Sequence, residues 1–193
     1  MIVIHPEETR EIRIIFETLT EQIEVQRGGH LTVFIGQNPK LELEAILSGE
    51  GGSLNIVGVF RGAGSDTQDV ALRVFQRAAR TNCKVEFRAA LAGSSFSKFD
   101  GLVRMEETAM GSTGALSYKA LLLSEQARAK PIPRLEVLTK EVASASHSAS
   151  VGSLDPQQLF YLQSRGLSRE EAERLMVEGF LQYPDIRCPD IAP

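Results

Sequence analysis

The sequence predicts a mainly β chain that closes with a C-terminal α-helical hairpin. Three observations carry this prediction. Short apolar runs alternate with polar residues at a period of two from Ile12 to Leu138. Clusters of Gly and Ser punctuate those runs. After Gly152 the apolar spacing changes to that of a helix, and each of two helical segments begins with its own cap.

The strand candidates follow one another closely. Ile12 to Phe16, Ile23 to Val25, Leu31 to Ile35 and Leu41 to Leu47 come first, and Leu41-Glu42-Leu43-Glu44 is the cleanest alternation. Leu54 to Phe60, Val70 to Phe75, Cys83 to Leu91, Phe99 to Met105, Leu116 to Leu123 and Leu135 to Leu138 continue the series. Gly28-Gly29, Gly49 to Ser53, Gly62 to Ser65, Gly93 to Ser95 and Gly111 to Gly114 supply the turns between them. Arg73, Arg77 and Arg80 also fit one face of a helix, but the β-branched Val70 and Val74 and the surrounding strands favour a strand here. On pattern alone a sandwich, a barrel and a β-solenoid are all open, with no sharp internal repeat to single out the last.

The hairpin has clear ends. Asp155 is an N-cap, Pro156 takes the first helical position, and Gln158 can complete a capping box. Leu159, Phe160 and Leu162 run along this helix, and Gly166 suits the left-handed residue that ends it. Ser168 and Glu171 form a second capping box, Leu175, Met176 and Phe180 an apolar stripe, and Pro184 a stop. This is more apolar surface than two short helices hide between themselves, so part of it is expected to pack on the last β-coil. The predicted division is residues 1–152 as β core and 153–193 as helical segment.

Composition excludes several classes. The chain has 193 residues, 42% hydrophobic and 24% charged, with no apolar run long enough to span a bilayer. Its N-terminus meets Glu7 and Glu8 without a basic stretch, unlike a secretory signal, so the expected compartment is the cytoplasm. Net charge is −4, but 13 Lys and Arg face 9 Asp and Glu between Gly51 and Gly152, against 4 and 7 from Ser153 onward. Neither half has the clustered basic stripe of a nucleic-acid binder. Cys83 and Cys188 read as two reduced thiols and cannot supply the roughly four thiolates of a resident iron–sulfur cluster.

Among residues that could carry chemistry, His147 stands out amid the small side chains of Ser144 to Ser150, which leave room for a ligand beside the imidazole. The plainer alternative is an inward-facing histidine bound to a backbone carbonyl. Ser146 and Ser148 flank it on a predicted strand, where neighbours point to opposite faces and cannot pair directly; no G-x-S-x-G elbow exists either. Arg61-Gly62-Ala63-Gly64-Ser65 lacks the spacing of a phosphate loop, and His5 and His30 lack metal-ligand spacing. No catalytic or metal residue is expected.

Several blocks together resemble the core of the SufB/SufD iron–sulfur cluster assembly proteins. They are Val57 to Phe60, Gly101 to Met105, Leu121 to Ala129, Pro131 to Val137, Val142 to Gly152, and Leu154-Asp155 to Arg165-Gly166, in order and at matching spacing. The resemblance implies a right-handed parallel β-helix with a C-terminal helical segment. It also implies a non-catalytic scaffold that pairs through its β-helix with a SufB/SufD-type subunit or with itself. Such a scaffold recruits an ABC-type, SufC-like ATPase through its C-terminal helices, here Asp155, Leu159, Phe160, Tyr161, Arg165 and Gly166. The resemblance implies no stably bound cofactor and allows a transient iron–sulfur cluster.

Set against the resemblance, three features lead us to expect a minimal, SufD-like member. β-Patterned sequence begins by Ile12, in place of a long N-terminal helical domain. Ala127 stands where the SufB type has its assembly cysteine. His147 matches the SufD-type histidine and is the cluster-assembly candidate, although Ser148 replaces the following glycine. The alternative is a β-solenoid enzyme or small-molecule or glycan binder, which requires acid and base residues converging in one cleft. Asp100, Glu106 and Glu107 are its nearest candidates.

Overall fold

A computed structural model describes residues 1–14, 19–37 and 39–182. Twelve strands precede two helices: β1 (Ile2–Ile4), β2 (Thr9–Ile14), β3 (Leu19–Val25), β4 (His30–Ile35), β5 (Lys40–Leu47), β6 (Ser53–Gly62), β7 (Thr67–Gln76), β8 (Asn82–Leu91), β9 (Phe96–Met105), β10 (Ser112–Leu122), β11 (Arg128–Val137), β12 (Val142–Ser153), α1 (Pro156–Ser164) and α2 (Arg169–Leu181). Odd strands form one six-stranded sheet, ordered β1-β3-β5-β7-β9-β11, and even strands another, ordered β12-β10-β8-β6-β4-β2. Every strand pairing within each sheet is parallel. The chain alternates between the sheets and climbs one rung per coil, which is a β-solenoid.

The register stacks like residues into columns. Ile12, Val33, Ile56, Val85, Leu116 and His147 pair in succession on the inner face. The spacing along this column grows from 21 residues (12 to 33) to 31 (116 to 147). That drift hides the repeat in the sequence, because each coil lengthens at its corners while the columns stay aligned. Inner-face residues of both sheets form one continuous core. One layer packs Phe87 against Phe99 as a tilted pair and stacks Phe99 on Tyr118, with ring centroids 4.7 and 5.3 Å apart. Gly58 lies beneath Phe87, where a Cβ would fall 2.1 Å from the ring; only glycine leaves space for it. The Tyr118 hydroxyl donates to Ser97 Oγ (2.9 Å), which donates to Gln68 Oε1 (3.2 Å), so the buried phenol is partnered.

Two expectations need correction, the extent of one strand and the seat of the hairpin. The strand ending at Leu138 begins seven residues earlier than its apolar run, at Arg128, and passes through Pro131 and Pro133. Two missing N–H groups are tolerated because β11 is an edge strand. The strand expected from Val70 to Phe75 is present as β7, so Arg73, Arg77 and Arg80 share no helical face; Arg80 sits in a turn with φ +55°. Ile15, Phe16, Pro184 and Cys188 lie outside the described residues. Finally, the hairpin does not pack on the last coil. Val177 and Leu181 of α2 pack against Val59 and Ala90, beside Leu121, Leu123 and Phe180, on the outer face of β6, β8 and β10. β12 is exposed along its whole length.

Candidate functional site

The open end of the solenoid is built from β11 and β12. Ala145, His147, Ala149 and Val151 continue columns that are buried one rung below at Gly114, Leu116, Tyr118 and Ala120, yet all four are exposed. Nothing among the described residues stacks above them. The rung is thus a cross-section of the core left facing outward, with Val137, Leu138, Val142 and Val151 each about two-fifths exposed. β12 contains no Asp, Glu, Lys or Arg.

His147 occupies the inner column of this rung. Its Nδ1 lies 3.1 Å from the carbonyl oxygen of Pro133 in β11. A carbonyl only accepts, so Nδ1 carries the proton and the lone pair of the neutral ring is at Nε2. Both readings of this histidine thus meet in one geometry: the ring faces inward and binds a carbonyl, and it is also exposed. Such a ring can offer one nitrogen to a metal, a proton or a partner donor.

Cys83, the cysteine among the described residues, lies two rungs below this end. Cys83 is fully buried among core side chains on β8, and burial pushes its thiol up to about 12, far from a reactive thiolate. Ala127 is buried in the turn before β11. Among the described residues, no three His, Cys, Asp or Glu side chains gather as a metal site, and no helix is long and apolar enough to cross a membrane. Asp100, Glu106 and Glu107 do not converge. Asp100 accepts from Arg134 (2.6 Å) and pairs with Arg73 (3.2 Å), while Glu106 pairs with Arg104. Partial burial pushes the Asp100 carboxyl up, but the Arg134 hydrogen bond and the two guanidinium charges outweigh it and hold it below the usual range.

The hairpin is the second surface. Asp155 caps α1 by accepting from Gln157 N (2.9 Å), so the donor is the second helical residue rather than Gln158. Gly166 ends it at φ +97°. Ser168 and Glu171 form the reciprocal box that starts α2, and those hydrogen bonds lower the Glu171 carboxyl. Leu159 is buried, whereas Phe160 and Tyr161 are 72% and 56% exposed, and Arg165 stacks over the Tyr161 ring at 5.2 Å. Asp155, Gln157, Gln158, Tyr161, Leu162 and Met176 line a shallow depression of about 400 Å³ between the helices. Leu175, expected in the buried stripe, is exposed; Ala172, Val177 and Leu181 replace it. The missed seam had a signal. In Val57-Gly58-Val59-Phe60 and Ala89-Ala90-Leu91 the alternation fails, so apolar side chains must face outward as well as inward.

Comparison with known proteins finds a family model and several relatives. Residues 10–180 match the family model described as the SUF system FeS cluster assembly, SufBD core domain. An iron–sulfur cluster assembly SufBD family protein of Mycobacterium leprae is 32% identical over 161 residues, covering 78% of this chain and 41% of its own length. A Mycobacterium tuberculosis counterpart is 32% identical over 163 residues, 78% and 40% of the two chains. The iron–sulfur cluster assembly protein SufD of Bacillus subtilis is 34% identical over 120 residues, 62% of this chain and 27% of that one. The chain spans about two-fifths of the length of these two mycobacterial relatives.

Proposed function

We propose a scaffold role for this chain, which belongs to the SufB/SufD family of iron–sulfur cluster assembly proteins. In this reading the open rung of β11 and β12 pairs with a SufB/SufD-type subunit or a second copy, and the hairpin recruits an ABC-type, SufC-like ATPase. ATP hydrolysis belongs to that partner. The cluster is cargo held transiently near the paired ends, where His147 Nε2 is the available donor atom. The chain itself works in the cytoplasm and catalyses no reaction.

The observation that carries the reading is the division of labour within the hairpin. α2 packs Val177 and Leu181 on the outer sheet face, while α1 keeps Phe160 and Tyr161 exposed beside a depression lined by Leu162 of α1 and Met176 of α2. Large exposed aromatics on a well-capped helix suit a helix-in-groove contact and are the residue types that dominate interface energies. A titration of the purified chain with a SufC-like ATPase tests this directly. Phe160→Ala combined with Tyr161→Ala is expected to weaken binding at least about 30-fold, equivalent to about 2 kcal/mol. Undiminished affinity in that variant would exclude the hairpin as the docking site. Deleting residues 153–193 is expected to abolish ATPase binding and leave the β-rich core folded, because solenoid coils chiefly contact neighbouring coils.

A further inference from the structure

Helix α2 ends without a cation of its own. Its last turn contains no basic residue, although the final carbonyls of any helix lack intrahelical donors and carry the negative end of its dipole. The cation arrives from a distant part of the chain. Arg88, half-buried on the outer face of β8, donates from Nη1 to the carbonyl oxygens of Phe180 and Gln182, each at 2.8 Å. In the register it lies between Val59 of β6 and Lys119 of β10, beside the row of Ala90 and Leu121 on which α2 packs. α1 packs against α2. The tilt of the Phe160 and Tyr161 ridge is therefore inherited from where the C-terminus of α2 is held.

We propose that Arg88 is a positioning residue for partner docking: it latches the C-terminus of α2 to the sheet and so presents the α1 ridge in a fixed orientation. The proposal rests on the hairpin-docking reading above. The apolar seam alone tolerates sliding, since apolar contact is non-directional. A guanidinium shared by two carbonyls fixes both position and angle.

The test uses the full chain as wild type, Arg88→Ala, Arg88→Lys and Phe160→Ala, with amide hydrogen exchange and calorimetric titration of a SufC-like ATPase as readouts. In Arg88→Ala, amides of Val177 to Leu181 are expected to exchange about tenfold faster or more, the scale of a lost charge-assisted hydrogen bond. ATPase affinity is expected to fall by about tenfold, with β-strand exchange unchanged. Arg88→Lys restores part of both effects, because an ammonium reaches the carbonyls without the planar fork. Unchanged α2 exchange in Arg88→Ala would overturn the latch. Faster exchange with intact affinity, in a protein where Phe160→Ala does weaken binding, would overturn the positioning role and leave the docking reading standing. If neither substitution alters affinity, the docking reading fails and takes the positioning role with it, while the exchange result still decides the latch.

Discussion

The two ends of the solenoid are built differently. At the N-terminal end, edge strand β2 places Arg10, Glu11 and Arg13 among its six residues, with Glu7 and Glu8 just before it. Charges along an edge discourage another chain from adding a strand. At the C-terminal end, β12 runs for twelve residues without a charge, and its inner row of Ala145, His147, Ala149 and Val151 stays exposed. In the even-numbered sheet one edge is charged along its length and the other is uncharged and exposed. A surface that continues the columns of a core, flat and uncharged, is what a second subunit needs in order to extend that core across an interface. The contrast separates what holds the coil together from what the coil is for.

The largest effects should come from the middle of the columns. Leu116→Ala removes a fully buried side chain one rung below His147 and is expected to cost about 2–5 kcal/mol in chemical denaturation. His147→Ala, in the next position of the same column, should cost less than about 1 kcal/mol, because its ring is exposed and ordered by one carbonyl. Equal costs would mean that the open rung is as much a part of the monomer's core as the rungs beneath it. Gly58→Ala probes the same inner layer from the opposite direction. Its new methyl would collide with the Phe87 ring, for an expected loss of about 1–3 kcal/mol. A neutral result would show that the aromatic stack shifts freely.

Much of the fold was legible in the sequence, and the exceptions have physical causes. Alternation located the central strands because each has one buried and one solvated face. It failed at β11, where prolines are admissible on an edge, and it offered little at β12, where Ser and Ala give no contrast between faces. Caps located both helices, since Asp155, Ser168 and Glu171 act within a few residues of themselves. Where the hairpin would lie was not local information: it depends on Val59, Ala90 and Leu121 being brought side by side by the register. The inward direction of His147 was likewise set by the column below it. Its place in the family block pointed to the residue, and the register explains why that residue is accessible.

A smaller effect belongs to the outer sheet face. The Asp100 carboxyl is lowered in the folded protein by Arg134 and Arg73. Its contribution is therefore complete above the ordinary carboxylate value near pH 4 and is lost as the pH falls through the lower folded value. Asp100→Asn should remove at most about 1 kcal/mol at neutral pH and reduce the loss of stability on acidification. Urea midpoints at pH 7 and pH 3 check this; an acid response identical to that of the wild type would dissociate the ion cluster from stability.

The difference between the ends is tested most directly by mass in solution. The chain is 21.1 kDa, and light scattering at tens of micromolar, well above the ~1 μM scale of an ordinary specific contact, should report a pair. Val151→Lys on the open rung should return a folded 21.1 kDa species, whereas Arg13→Lys at the defended end should leave the pair intact. A wild-type protein that is monomeric under these conditions, or a pair that survives a lysine at Val151, would contradict the account.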